Sequence, residues 1–337
     1  MLSNNEQLGA FIVPTGVGAA VGGYAGDASV WARKFSQLAR LIVNPNVVNA
    51  GGFSGINEKM LYVEGRSLDS FFKGEISLVP GSANKIGVVF DRAIPQDVLN
   101  IHINTINAVK TVYGIDVIGY EVTQAPVGVE FLLNRVSAGS VRNIETLIEA
   151  SKKLLAAGAD AIALVCLFED PESVNPDYAQ GCGVDPVGGV EAIVSHYVSR
   201  ELRVPCAHSP AFRDFTISPA LVDAKSASEY ITPTFLPCVL LGLDKAPKLV
   251  SPLNPPLQGG QNSVISINHL DFLIMPYDSL GSTPVFEAVK RGITVYAVRE
   301  NTTALNVTAE SLGLADKIIE VQSYQECFQL CKTSARL

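Results

Sequence analysis

Four histidines occur among the 337 residues, and His208 is the best placed of them for chemistry. It follows the short apolar run Val204–Ala207 and precedes Ser209-Pro210. An imidazole just past a strand end sits where α/β proteins carry proton-transfer groups, and it titrates near neutral pH. Cys206, inside the same run, is expected in the core. Glu64 occupies a comparable position in Tyr62-Val63-Glu64-Gly65. In a closed pocket its carboxyl would hold a proton and act as general acid or base. On a surface it would only cap the helix that follows.

Other residues are suited to holding a ligand. Between Phe11 and Asp27 an apolar run meets Pro14, and five glycines then fall between Gly16 and Gly26. Such a loop lets main-chain N–H groups approach a ligand, which makes Thr15, Gly16, Tyr24 and Asp27 candidates. Gly16-x-Gly18-x-x-x-Gly22 is one residue longer than a dinucleotide fingerprint. The acidic residue expected after the next strand is replaced by Asn44-Pro45-Asn46, so Asn46 joins the candidates as a ligand contact. No Gly-Lys-Ser/Thr follows, which excludes a Walker loop. In Gly181–Gly189, Asp185 opens a helix as a cap or as part of a carboxylate site, and Cys182 between two glycines is a nucleophile without an evident partner. Ser282, in the hydroxyl-rich loop Pro276–Thr283, enters a helix that could receive an anion. Arg299 and Asn301, just past the next strand, could clamp a carboxylate.

These residues need a frame to bring them together. Strands are predicted at Ala10–Val13, Met60–Val63, Ile86–Phe90, Ile115–Val122, Val127–Leu132, Ala161–Val165, Val204–Ala207, Phe235–Leu241, Phe272–Met275 and Thr294–Val298. Helices are predicted at Ala28–Leu41, Pro95–Val112, Ser140–Ala157, Val187–Arg200, Pro284–Arg291 and Tyr324–Lys332. Leu249–Asn262, rich in Pro and Gly, reads as a loop or lid. The alternation predicts an α/β protein, its mainly parallel sheets covered by helices on both faces. Two α/β domains with a cleft between them are expected. The first, 1–140, holds the glycine-rich loop, and the second is 141–337.

Composition bounds the partners. Hydrophobic residues make up 47% of the chain and charged residues 17%, against roughly 25% charged in average proteins. That apolar content requires a large core and favours a homo-oligomer. The net charge of −8 argues against nucleic acid. No run reaches the roughly 18 apolar residues that cross a bilayer, and the first residues do not read as a signal peptide. The six cysteines are scattered without a Cys-x-x-Cys pair. No metal site is therefore expected, and a reducing, cytoplasmic setting is.

The segments Val13–Gly16, Gly22–Asp27, Pro45–Asn49, Leu61–Gly65, Cys206–His208, Thr234–Leu240 and Val298–Asn301 together resemble a family found mainly in cyanobacteria and plastid-bearing organisms, known as a conserved domain of unknown function. The likeness runs nearly end to end. Asn44 stands where the family carries His, Ser209 replaces Ala, and Gly51–Asn57 is small and polar where an aromatic stretch is usual. With its pocket reshaped in this way, the chain is similar to a relative carried in cyanobacterial aeruginosin gene clusters. That resemblance implies a cofactor-independent cyclase. A free amine would add in conjugate (Michael-type) fashion to a cyclohexenone, closing a hydroxy-octahydroindole carboxylate, from a small-molecule amino or carboxylic acid substrate. In such a reaction His208 or Glu64 would be the base and Tyr24 or Thr15 the enolate donor. Arg299 or the helix after Asp278 would anchor the carboxylate. The unit Gly281–Thr303 is also similar to the donor half of two-domain glycosyltransferases, with only Glu287 available as the ribose ligand. A non-catalytic metabolite sensor is the third expectation.

Overall fold

The computed structural model describes residues 6–81, 83–133, 136–168, 177–252 and 264–334. Its larger sheet contains β1 (Gln7–Phe11), β2 (Ala39–Val43), β5 (Met60–Tyr62), β14 (Phe272–Pro276), β15 (Thr294–Val298) and β16 (Ile318–Val321). They lie in the order β16-β15-β14-β1-β2-β5, with every pair parallel. The smaller sheet orders β12 (Cys206–Ala211), β11 (Ala161–Leu167), β7 (Ile86–Phe90) and β8 (Val117–Val122), again all parallel. Three antiparallel pairs complete the strands: β3 (Asn49–Ala50) with β4 (Phe53–Ser54), β6 (Ser77–Val79) with β13 (Lys248–Val250), and β9 (Val129–Leu133) with β10 (Ser137–Val141).

The helices are α1 (Ser29–Phe35), α2 (Pro45–Val48), α3 (Gly65–Lys73), α4 (Gln96–Tyr113), α5 (Glu145–Ala156), α6 (Gly188–Leu202), α7 (Ala227–Tyr230), α8 (Leu236–Asp244), α9 (Thr283–Lys290) and α10 (Tyr324–Ser334). Strand periodicity sorts the core. Leu8, Ala10 and Ile12 join the cluster that holds α3 and α9, whereas Phe11 and Val13 point the other way. That second cluster also takes Val88 and Phe90 from β7, Ala163 and Val165 from β11, and the apolar residues of α8. The two sheets thus share one core. The outer face of the small sheet is covered by α5 and α6 through Leu147, Leu154, Val190 and Val194.

This arrangement corrects several expectations. A division at 140/141 would separate β7 and β8 from β11 and β12, which share a sheet, and β1 from its neighbour β14. The small sheet is instead nested between two halves of the large one. The run 28–41 is not a single helix: α1 ends at Phe35, and Ala39–Val43 pairs with β1. Phe235–Leu241 is not a strand but most of α8, with Pro237 in its first turn, where no N–H is needed. Residues 137–141 form β10, so the helix expected from Ser140 starts only at Glu145. Most of the loop expected at Leu249–Asn262 lies outside the described residues.

Candidate functional site

The glycine-rich loop leaves β1 at the point where the large sheet reverses its strand order, beside β14. Ligands of open α/β sheets gather at such points. Asn44 brackets its start: Nδ2 donates to the Val13 carbonyl (2.7 Å) and Oδ1 accepts from the Val13 N–H (3.1 Å). Asn46 Nδ2 donates to the Pro14 carbonyl at 2.9 Å. From behind, Asn301 brackets Val21 in the same way, at 2.9 and 2.8 Å. The Ala20 N–H reaches the Thr302 carbonyl (2.8 Å) and the Ala304 N–H reaches that of Val17 (2.7 Å). Asp27 closes the loop by accepting from the Gly22 N–H at 2.6 Å, and burial pushes its carboxyl up to about 6. At Gly23 a Cβ would lie 2.1 Å from the Ala19 carbonyl oxygen, so no side chain fits there.

A cavity of about 750 Å³ opens in front of this loop, between the carboxyl ends of the two sheets. Thr15 and residues 22–25 form one wall, with Asn46 beyond β2. His208 of β12 and the start of α6 form the opposite wall. Residues 212–219 and Glu229 lie along it as well. The hairpin β9–β10 ties the walls together. Ser137 donates its N–H to the Gly16 carbonyl (2.9 Å), and its hydroxyl accepts from the Gly189 N–H (2.9 Å).

The strongest chemical feature is carried by β12 and α6. Glu191 and Ser195 are one turn apart on α6, hence on one face, and both meet His208. The Ser195 hydroxyl donates to the Ala192 carbonyl (3.3 Å) and lies 2.8 Å from His208 Nδ1. With its proton spent on Ala192, Ser195 accepts from Nδ1–H, a tautomer assigned from this network that leaves Nε2 as a bare acceptor. Glu191 Oε2 is 3.9 Å from Nε2, too far for a hydrogen bond. Glu191 is only 7% exposed, and its Oε1 has no hydrogen-bond partner. Burial dominates both groups. It pushes the Glu191 carboxyl well above the usual range, helped by Asp185 and Glu229, and it drives the imidazole down to about 3, helped by His196. Within ion-pair distance, burial thus opposes charge on both groups.

Glu229 adds a second protonated carboxyl. Its Oε1 accepts from the Ala25 N–H (2.6 Å) and the Tyr178 hydroxyl (3.1 Å), yet burial and the Asp185 charge hold it at about 8. Tyr178 stacks on Tyr24 with ring centroids 4.8 Å apart. Burial lifts the Tyr24 phenol to about 12, and its hydroxyl leans on the Gly183 carbonyl at 3.4 Å. Asp185, half-buried, accepts from the Val187 N–H at 2.9 Å, so the start of α6 is capped by its own chain. Desolvation raises this carboxyl too.

Of the residues proposed from sequence, Thr15, Tyr24, Asn46, Asp185 and His208 meet around the cavity. Gly16 and Asp27 shape the loop behind it. The remaining four lie elsewhere. Glu64 caps α3, accepting from the Arg66 N–H (2.8 Å), the Ser67 N–H (2.7 Å) and the Ser67 hydroxyl (2.6 Å). His196 Nε2 lies 3.4 Å from Glu64. Arg299 pairs with Glu320 and packs on Tyr277, Asn301 braces the loop, and Ser282 precedes α9. Glu287 is held by Arg291 and Lys290. Cys182 is exposed and does not line the cavity. Glu191, Glu229, Tyr178 and Arg213 line it without having been singled out. Glu191 had one available signal, its i, i+4 spacing to Ser195 ahead of the strand that bears His208. Among the described residues, no three His, Cys, Asp or Glu side chains gather closely enough to hold one metal ion.

Fold and cavity define an α/β protein with two parallel sheets whose carboxyl ends converge on a small-molecule-sized site. Residues 9–335 match the family described as Protein of unknown function (DUF3326), and the chain belongs to that family. It is 38% identical over 310 residues to an uncharacterised lipoprotein of Synechococcus sp., covering 90% of this chain and 84% of the relative. No solved structure matches.

Proposed function

We propose that the cavity is the active site of an acid/base enzyme that adds an amine to an electron-poor double bond within one small molecule. The observation that carries the reading is the buried Glu191 carboxyl with an unpartnered oxygen, facing a bare His208 Nε2 across 3.9 Å. Burial penalises such a pair unless a ligand completes it. A neutral imidazole beside neutral carboxyls also suits an amine, which must be unprotonated to attack.

In the favoured form of the reaction the substrate is an amino acid bearing a cyclohexenone. The amine nitrogen bonds to the β-carbon, and the carbon–carbon π pair moves onto the carbonyl oxygen. The proton lost by nitrogen goes to His208 Nε2 as Glu191 gives up its own, so the imidazolium forms beside a carboxylate 3.9 Å away. Tyr24, or the protonated Glu191 carboxyl, donates to the enolate oxygen, and a proton returned to the α-carbon restores the ketone. Product and substrate are isomers, so electrons balance without an oxidant. Closing a five-membered ring gives the octahydroindole skeleton, and holding amine and alkene in contact supplies much of the acceleration.

The test is incubation with 2-amino-3-(4-oxocyclohex-2-enyl)propanoate. Enone absorbance should fall and an isomeric bicycle should appear, faster than without protein and with a single configuration. Binding without acceleration would replace the enzyme by a metabolite sensor. We also propose a cytoplasmic setting with reduced cysteines. The relative's description as a lipoprotein makes membrane attachment the alternative, and fractionation of cells decides between them. Among the described residues no helix is long and apolar enough to cross a membrane.

A further inference from the structure

We infer that Arg213 binds a carboxylate of the ligand, so that the cavity selects amino acids held amine inward and carboxylate at the mouth. The inference rests on the assignment of the cavity as a small-molecule site and is independent of the reaction performed there.

The cavity is polarised. Asp185, Glu191 and Glu229 line it together with His208, and none of these brings a permanent positive charge. Among the described residues that line it, Arg213 is the single Lys or Arg. Among the described residues its guanidinium has no hydrogen-bond or ion-pair partner. Among the described residues no ion pair joins it to the neighbouring Asp214, whose carboxylate accepts from the Thr216 N–H at 2.8 Å.

Position supports the same role. The end of β12 is pinned where the Phe168 N–H donates to the Ala211 carbonyl (2.9 Å), so Arg213 stands two residues past a fixed point and five past His208. From there the chain runs exposed along the cavity, with only local hydrogen bonds, until the Asp223 N–H reaches the Ala179 carbonyl at 2.9 Å. A guanidinium fork binds a carboxylate through two parallel N–H donors, a geometry that an ammonium cannot reproduce. Arg213 thereby takes the anchoring role that the sequence suggested for Arg299.

Three probes sharing one ring test this on the full chain by calorimetric titration: L-cyclohexylalanine, 2-cyclohexylethylamine, which lacks the carboxylate, and 3-cyclohexylpropionate, which lacks the amine. Wild type should bind the amino acid roughly tenfold or more tightly than the amine, the worth of one charge-assisted pair. Arg213→Ala should bring the two within about twofold of each other, Arg213→Lys should recover part of the preference, and Arg213→Glu should favour the amine. Equal binding of amino acid and amine by wild type would overturn the inference. An unchanged preference in Arg213→Ala, or no measurable binding of L-cyclohexylalanine at millimolar concentration, would do the same. Absence of turnover on the enone would refute the proposed reaction alone, because these probes cannot react.

Discussion

Replacing Glu191 by Met is expected to give a protein that is more stable when empty and inactive. Glu191 is 7% exposed, its Oε1 is unpartnered, and its Oε2 stands 3.9 Å from His208 Nε2. A buried polar group without a partner costs about 1–3 kcal/mol. Met nearly conserves length and volume, so it removes that cost while keeping the cavity wall filled. Unfolding entropy of about 2.1 cal/mol/K per residue over 337 residues gives roughly 0.7 kcal/mol/K. The gain then appears as a rise in Tm of roughly 1–4 °C. Glu191→Gln keeps a polar orphan and should leave Tm within about 1 °C of wild type while losing the acid. Thermal scans and urea titrations of ligand-free protein near pH 7 read the difference, with turnover of the cyclohexenone amino acid measured in parallel. A Met variant destabilised by more than about 1 kcal/mol, beside a Gln variant of wild-type stability, would refute the reasoning. Glu191 would then be a structural residue whose contacts hold the fold.

Further outcomes follow from the same geometry. His208→Ala should lower turnover at least ~10²-fold, whereas Ser195→Ala, by freeing the ring tautomer, should shift the pH–rate profile more than it changes substrate binding. Glu229 holds its proton in the folded chain up to about 8 but releases it near 4.5 when unfolded. Between those values the unfolded state binds fewer protons, so the carboxyl subtracts stability as pH rises, with a slope of about 1.4 kcal/mol per pH unit. Glu229→Gln should flatten that part of the stability–pH curve measured by denaturant titration. Glu64→Ala should cost about 1 kcal/mol through loss of the α3 cap while leaving turnover unchanged. Gly23→Ala forces the Ala19 carbonyl aside and should cost about 1–3 kcal/mol and weaken L-cyclohexylalanine binding, read by calorimetry.

Much of the frame was legible because its signals are local. The strands β7, β11, β14 and β15 are apolar runs bounded by turns, and α4 carries its proline before the first turn and its glycine after the last. What misled was apolar sequence without a period. Phe235–Leu241 is buried on nearly every side, so neither the two-residue nor the 3.6-residue rhythm shows, and Pro237 was the remaining clue to a helix. The β2 strand was absorbed into a helix because Trp31, Phe35 and Leu38 set a helical spacing that runs on into Leu41.

The site divided along a similar line. His208, Tyr24 and Asp185 stand at element ends, where function can be guessed from position. Glu191 sits within the first turn of a helix, where acids usually serve the dipole, and Glu229 lies in a four-residue helix. Only the folded chain reveals that both face a cavity. Glu64 and Asn301 stood at strand ends too, yet their side chains are spent on backbone groups, and strand topology alone does not carry that information.

The nesting of one sheet inside the other has a consequence for biosynthesis. Leu8 and Asp271 are joined by a hydrogen bond although 263 residues separate them. β1 can meet β2 soon after both are made, but its other neighbour β14 is made only after β7, β8, β11 and β12, which can pair first. The inner sheet can therefore assemble during translation, carrying His208 and Glu191 with it, and the glycine-rich loop gains its Asn301 and Thr302 braces later. Nascent chains arrested before residue 272 should leave the β14 side of β1 open to proteases or holdase chaperones.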